Sequence, residues 1–262
     1  MSSNAETNSR KWRVLVIGHS VATMVPDRAS RLDAPYPELV EQSLRADGYD
    51  IEVRNVAKEF THIGHGVRLY QENVAGWNAD VVIVNYGVVE NQAPFIPQAV
   101  YNHFQTWDVG TSRLSRAYRR RVAPWLWTKL RRVQRRAVRV MGQRGHRVGP
   151  KRFVALLNQV IFLSRHEHRL VLFLDINPPG PRITYSLPGA EERRDRHNAL
   201  IHEVVRDAND PDVRLIPSAA VVEDMGMEKA LPDGYHFSAA GHRRIAELVT
   251  AEIEAWIKTQ TA

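Results

Sequence analysis

The chain has 262 residues, of which 44% are hydrophobic and 25% are charged, an ordinary composition for a globular domain with one sizeable core. It contains no cysteine, which excludes disulfide bonds and thiolate metal sites and fits a reducing cytoplasm. No run approaches the ~20 apolar residues of a membrane-spanning helix, and residues 1–10 lack the apolar core of a signal peptide. We therefore expect a cytoplasmic protein without a transmembrane segment.

The net charge of +7 comes from one segment of the chain. Residues 111–152 contain fifteen Lys or Arg and no Asp or Glu, which leaves 21 basic residues against 29 acidic ones in the remainder. The body of the protein is therefore mildly acidic, and the basic character belongs to this segment alone.

Taken in order, the chain alternates between strand patterns and helix patterns. We predict a disordered tail at residues 1–11 and a single α/β domain at residues 12–262. The predicted strands are 13–17, 51–55, 81–84, 170–175 and 213–216. The predicted helices are one of about ten residues before position 48, one between the loop 57–66 and position 76, and those at 153–164, 191–206 and 239–257. This alternation predicts a three-layer α/β/α, flavodoxin-like fold with a parallel five-stranded sheet, whose strand order the pattern leaves open.

A basic helical insertion, at about residues 95–152, interrupts the alternation. Residues 114–141 have helical spacing and dense arginine, with Pro124 as a kink or boundary and with Trp125 and Trp127 near the middle. Three interpretations stay open: a lid that attracts an acidic substrate, a contact with anionic lipid anchored by the tryptophans, and a solvated insertion. Nucleic-acid binding is less favoured, because no nucleic-acid fold signature accompanies the charge.

Ser20 lies two residues after Gly18, just beyond the first predicted strand, and is the first candidate for chemistry. Ligands of open α/β sheets bind outside the carboxyl ends of the strands, so Ser20 is expected at that rim. A serine hydroxyl needs a base to take its proton. The loop before the last helix supplies His236 as a base and Asp233 as a carboxylate that would hold the imidazole in its working tautomer.

These two stretches resemble the SGNH-type, GDSL-like hydrolases, which have Gly-Asp-Ser after the first strand and Asp-x-x-His before the last helix. The matching residues here are 18–20 (Gly-His-Ser) and 233–236 (Asp-Gly-Tyr-His). The resemblance implies a serine-dependent acyl-ester hydrolase with Ser20 as nucleophile, His236 as base and Asp233 as the residue that orients it. It implies no cofactor or metal, and a small-molecule acyl ester or an acylated sugar or lipid as the substrate.

The chain departs from this family pattern in its other blocks. Position 19 holds His where the family has Asp, and no clear glycine of the second block is found in residues 55–60. The third block, Gly-x-Asn-Asp, corresponds to residues 87–90 (Gly-Val-Val-Glu), so a valine replaces the oxyanion-binding asparagine. We predict that the amides of Ser20 and Gly87 bind the oxyanion, with Asn91 as a substitute donor from a shifted loop.

Two alternatives to the esterase follow from the same residues. The first is an acyltransferase that passes the acyl group to a sugar or another alcohol with the same three side chains. The second is a catalytically degenerate family member that binds an acylated ligand without turnover, which the altered blocks favour and the retained triad opposes.

Several other polar residues receive structural interpretations. We predict no metal site, because the histidines at positions 62, 65, 166 and 168 lack ligand spacing and accompanying carboxylates. We expect His242 on the surface of the last helix. Asp175 and Asn177 end a predicted strand, where substrate contact and loop capping are both open.

Overall fold

The computed structural model describes residues 10–30, 33–91, 100, 112, 116–141, 146–165 and 167–261. Most of the predicted tail lies outside these residues. Its last two members are described, and they form ion pairs, Arg10 with Asp80 and Lys11 with Glu52. The predicted insertion is described only in part, so its extent stays a prediction.

A five-stranded parallel sheet forms the centre of the molecule in the order β2-β1-β3-β4-β5. The strands are β1 Trp12–Gly18, β2 Ile51–Asn55, β3 Val81–Asn85, β4 Leu170–Leu174 and β5 Val213–Ile216. This order is that of flavodoxin-like sheets, and the predicted fold class is confirmed. Gly18 pairs with Asn85, so β1 and β3 end side by side at the carboxyl rim.

Helices cover both faces of the sheet. They are α1 Tyr36–Ala46, α2 Ile63–Trp77, α3 Ala123–Met141, α4 Pro150–Arg165, α5 Pro181–Ser186, α6 Ala190–Ala208, α7 Ser218–Met225, α8 Met227–Ala230 and α9 Ala239–Thr261. A 3₁₀ turn, Ser20–Ala22, follows β1, and a π-helical turn, Tyr118–Val122, precedes α3. The short helices α5, α7 and α8 were not predicted, since each is too brief to show a helical period.

Two hydrophobic cores lie on opposite faces of the sheet. One packs α1, α7 and α9 against alternate strand residues such as Val14 and Val16. The other packs α2, α4 and α6 against the residues between them, such as Leu15 and Ile17. Successive side chains of a strand point to opposite faces, and β1, β3 and β4 are buried on both sides, which explains their continuous apolar sequences.

The start of α2 differs from the prediction. We predicted a loop through residue 66, but the helix begins at Ile63, whose backbone N–H donates to Glu90 Oε1 at 2.6 Å. The group that accepts this first N–H comes from another part of the chain. A local contact also marks this start, since His62 Nδ1 accepts the Gly64 N–H at 3.1 Å, and the loop prediction overlooked it.

The prediction for His242 was wrong. The side chain is fully buried, and its Nδ1 accepts the Tyr36 N–H at 3.1 Å while its Nε2 donates to the Met24 carbonyl at 2.9 Å. Burial is the main cause that lowers the pKa of His242 to about 4, so the neutral imidazole joins α9 to the loop before α1.

Candidate active site

Ser20 lies on the turn that ends β1. The turn is stabilised by His19, whose Nδ1 accepts the Val21 N–H at 3.3 Å. Burial, followed by the nearby charge of His236, lowers the pKa of His19 to about 3. The imidazole is therefore neutral and keeps Nδ1 free to accept, as a capping Asp carboxylate would. His19 thus holds the turn that presents the Ser20 hydroxyl.

The loop before α9 positions Asp233 and His236. Gly234, between them, has φ of +84°, and its carbonyl accepts the Gly180 N–H at 3.0 Å. A Cβ on Gly180 would lie 2.5 Å from the Gly234 Cα, so the two loops can approach this closely only as glycines. The buried side chain of Phe237 anchors the other end of the loop in the core.

The structure brings Ser20, His236 and Asp233 together. His236 Nε2 lies 2.8 Å from Ser20 Oγ, and His236 Nδ1 lies 2.6 Å from Asp233 Oδ2. The other carboxylate oxygen accepts the N–H groups of Tyr235 at 2.9 Å and His236 at 2.8 Å. Burial acts to raise the pKa of Asp233, but hydrogen bonds from the imidazole and these two amides outweigh it and set the pKa at about 2. A chain of hydrogen bonds therefore runs from an ionised carboxylate to a serine hydroxyl.

The Ser20 hydroxyl and His236 line a cavity of about 280 Å³. The turn after β1 and the residues Val88 and Val89 form part of its wall, together with Tyr235. Helix α3, which we call the basic helix, contributes Trp127 and Gln134, and the remaining lining residues are Phe60, Ser186 and Leu187. A substrate of small-molecule size would therefore reach the hydroxyl between the rim of the sheet and the basic helix.

Of the three predicted oxyanion donors, Gly87 has its amide bonded within its own loop, and Asn91 does not line the Ser20 cavity. The Gly87 N–H donates to Glu90 Oε2 at 2.8 Å, so in this structure it is not available to a substrate oxygen. Asn91 lines a neighbouring cavity of about 20 Å³ rather than the Ser20 cavity. The Gly87 amide is therefore occupied and the Asn91 side chain faces a different cavity, so the structure supports neither as an oxyanion donor. The Ser20 amide makes no hydrogen bond to any residue in the described part of the chain and stays a candidate donor.

Most of the chain matches the model of one protein family. The model of the GDSL-like lipase/acylhydrolase family matches residues 16–244. This chain belongs to that family. Both stretches on which the resemblance was recognised, residues 18–20 and 233–236, fall within the match.

Solved structures of GDSL-like and other esterases share the fold. A lipase/acylhydrolase from Enterococcus faecalis is 15% identical, with 93% of this chain and 96% of that chain covered and a TM-score of 0.63. The acetylxylan esterase Axe2 from Geobacillus stearothermophilus is 14% identical, with coverages of 92% and 94% and a TM-score of 0.58. The esterase EstA from Pseudoalteromonas sp., inhibited by monoethylphosphonate, is 12% identical, with coverages of 94% and 98% and a TM-score of 0.56. A search of curated proteins found no significant match.

Glu90 occupies the last position of the third GDSL-like block and has a structural role. The side chain is fully buried, and its two oxygens accept the N–H groups of Ile63 and Gly87. Burial raises the pKa of Glu90 to about 7, although these hydrogen bonds act to lower it. The carboxyl group therefore ties the loop after β3 to the start of α2.

Asp175 and Asn177, for which substrate contact and loop capping were both open, contact the start of α7. Asp175 Oδ1 accepts the Ala219 N–H at 2.7 Å and the Ser218 hydroxyl at 2.8 Å, so it caps α7. Asn177 Oδ1 accepts from the same hydroxyl at 3.1 Å. Among the residues that the structure describes, no group of three His, Asp or Glu could hold a metal ion, and His166 lies outside them.

The lid interpretation of the basic helical insertion left open which side chains would line the cavity. Trp125 and Trp127 were grouped as lipid anchors, but a spacing of two residues places them about 200° apart around a helix. Trp125 is 61% exposed, whereas Trp127 lines the Ser20 cavity. Gln134, seven residues beyond Trp127 and therefore on the same face, is the polar side chain that no motif indicated.

Proposed function

We propose that this GDSL-like protein is an esterase of small-molecule acyl esters, with Ser20 as nucleophile, His236 as general base and Asp233 as the orienting carboxylate. The distance of 2.8 Å between Ser20 Oγ and His236 Nε2, beside an accessible cavity, is the observation that supports this function. A nucleophile and a base within hydrogen-bond reach, with a third group that orients the base, form the arrangement that activates a serine.

The reaction follows from these contacts. Ser20 Oγ attacks the ester carbonyl while its proton passes to His236 Nε2, and the Ser20 amide donates to the developing oxyanion. His236 returns the proton to the departing alcohol, which leaves an acyl-serine. Water then attacks the acyl group while its proton passes to His236, which returns the proton to Ser20 Oγ as the acid is released. Throughout, the ionised Asp233 stabilises the imidazolium through Nδ1.

The cavity supports small substrates. Its volume of about 280 Å³ is close to the lower end of ordinary ligand sites. Val88, Val89 and Trp127 give it an apolar wall. We therefore expect short acyl esters to be turned over faster than esters whose chains exceed the cavity.

The test uses p-nitrophenyl acetate, butyrate and octanoate with the wild type, Ser20→Ala and the matched control Ser43→Ala, whose serine is exposed on α1. We expect turnover by the wild type and the control, and a loss of kcat of about 10⁴-fold or more in Ser20→Ala. A serine-reactive phosphonate should add one label to the wild type at Ser20, as the inhibited EstA suggests. A wild type that neither hydrolyses the esters nor accepts the label would contradict the proposal.

The acyltransferase is the second candidate, because the apolar side chains that line the Ser20 cavity could also hold an alcohol acceptor. Adding an alcohol acceptor such as a methyl glycoside to the ester assay separates the two. A ratio of transferred ester to free acid above the molar ratio of acceptor to water would assign the chain to acyl transfer. Free acid as the sole product would assign it to the esterases. Saturable ester binding without phosphonate labelling or turnover would instead identify a degenerate binding protein.

A further inference from the structure

The outer face of the basic helix carries an apolar and cationic row of exposed side chains. Trp125, Lys129, Val133, Arg136 and Val140 follow one another at spacings of four, four, three and four residues, which places them on one side of a helix. We call these five residues the outer stripe. All five are exposed, with Val133 at 64% and Val140 at 88%. Apolar side chains of this size are usually withdrawn from water in a core-facing row.

The charge of the helix has a single sign. It contains six Lys or Arg and no Asp or Glu, and the exposed Arg132 and Arg139 flank the outer stripe. Lys129 Nζ lies 5.7 Å from the centre of the Trp125 ring. A partner for this face must therefore be anionic and must also accept tryptophan and valine side chains out of water.

The opposite face of the helix packs against the body of the protein. Ala123 and Val138 are buried, and Trp127 and Gln134 line the Ser20 cavity. Arg135 lies over the Tyr185 ring, 4.8 Å from its centre, and joins the helix to α5. The outer stripe is therefore presented by a helix that already has a packed inner side.

We propose that the outer stripe docks on the surface of an anionic lipid membrane. A helix with a cationic face, exposed valines and a tryptophan is the chemistry of interfacial helices, which lie in the headgroup region with apolar side chains below the phosphates. The exposed valines of the stripe disfavour a nucleic acid, whose phosphates pair with cations and whose bases stack on aromatic rings, but which offers little to bury aliphatic side chains. Two copies of this face would repel each other. In the described residues no helix has the length and apolar content to cross a bilayer, so the contact is peripheral.

The test measures binding of the full chain to vesicles of 70% phosphatidylcholine and 30% phosphatidylglycerol by co-flotation. We expect binding to these vesicles but not to pure phosphatidylcholine, and a decrease when NaCl rises from about 0.05 M to 0.5 M. The pair Lys129→Gln and Arg136→Gln should weaken partition about 25-fold. The pair Trp125→Ser and Val133→Ser should weaken it at least about 10-fold.

The controls change equivalent surface outside the basic helix. Phe162→Ser removes an aromatic side chain of similar exposure, 62%, from α4, and Arg206→Gln removes an exposed arginine from α6. Both should bind like the wild type, and near-wild-type melting temperatures should show that every variant folds. Wild-type binding by both stripe pairs, or no binding to phosphatidylglycerol, would overturn the proposal. The face would be assigned to nucleic acid instead if an RNA oligonucleotide displaced the wild type from vesicles and still bound the double variant Trp125→Ser, Val133→Ser. Binding does not require ester hydrolysis, so Ser20→Ala should bind normally.

Discussion

Two loops at the carboxyl rim of the sheet, one after β1 and one after β3, are held by the same kind of contact but present different groups at the rim. In each loop a buried side chain accepts backbone N–H groups: His19 accepts from Val21, and Glu90 accepts from Ile63 and Gly87. The β1 loop leaves the Ser20 hydroxyl facing His236. The β3 loop directs its amide inward, where Glu90 binds it.

The two loops differ in what their buried side chains leave available at the rim. The family pattern suggested oxyanion donors from both loops, but here only the Ser20 amide is without an acceptor among the described residues. Ser20, His236 and Asp233 are therefore brought together in this structure without an available amide from Gly87. The predictions below test each loop at the side chain that holds it.

The largest expected effect is on the base, through Asp233→Asn. Two backbone N–H groups hold Oδ1, so the Asn side chain would turn its NH₂ toward His236 Nδ1. The imidazole proton would then move to Nε2, which could no longer accept from Ser20. We expect kcat for p-nitrophenyl butyrate to fall about 10³–10⁴-fold with little change in melting temperature. A decrease in kcat of less than 10-fold would show that Asp233 does not orient His236 for catalysis.

The second expected effect is on stability, through Glu90→Gln. The pKa of Glu90 is raised from 4.5 in the unfolded chain to about 7 in the folded one, mainly by burial. Between these pH values the folded state holds a proton that the unfolded state has lost, so the free energy of unfolding falls as pH rises. The full decrease attributable to Glu90 is about 3 kcal/mol.

Urea unfolding of the wild type and Glu90→Gln at pH 4.5, 6, 7 and 8 measures this effect. Glutamine does not titrate, so the wild type should lose stability relative to the variant by about 3 kcal/mol across the range. A difference that stays constant with pH would show that Glu90 is already ionised in the folded state.

The sequence predicts most of the sheet because the apolar pattern of each strand shows locally how the strand is buried. The bounds of β2 and β5 match those predicted, and the order of helices between them follows from local periodicity. The proximity of Ser20 and His236 was predicted although the two residues are 216 positions apart, because both motifs lie at the same rim. Long-range polar contacts were not predicted: Glu90 begins α2, and His242 joins Tyr36 to Met24, in ways that no local pattern encodes.

The next prediction concerns the β1 loop and uses His19→Asn and His19→Leu. Asn offers an oxygen near the position of Nδ1, whereas Leu leaves the buried Val21 N–H without an acceptor, which costs about 1–3 kcal/mol. Because His19 positions the turn, we expect Leu to lower kcat about 10–100-fold with KM nearly unchanged, and Asn to restore most of it. Equal kcat values for the two variants would show that the accepted hydrogen bond does not position Ser20.

The smallest effects distinguish the β3 loop from the basic helix as a source of substrate contacts. Asn91→Ala keeps the backbone bonds of Asn91 to Gly87 and Arg193 and changes a side chain outside the Ser20 cavity, so kcat/KM should stay within about 2-fold. Gln134→Leu keeps the volume but removes the buried amide that faces the cavity, and kcat/KM should fall about 5–10-fold. A larger loss of kcat/KM in Asn91→Ala than in Gln134→Leu would indicate that the β3 loop supplies the oxyanion donor. The expected ranking would mean that a helix unlike the family motifs supplies a polar contact that the third block no longer provides.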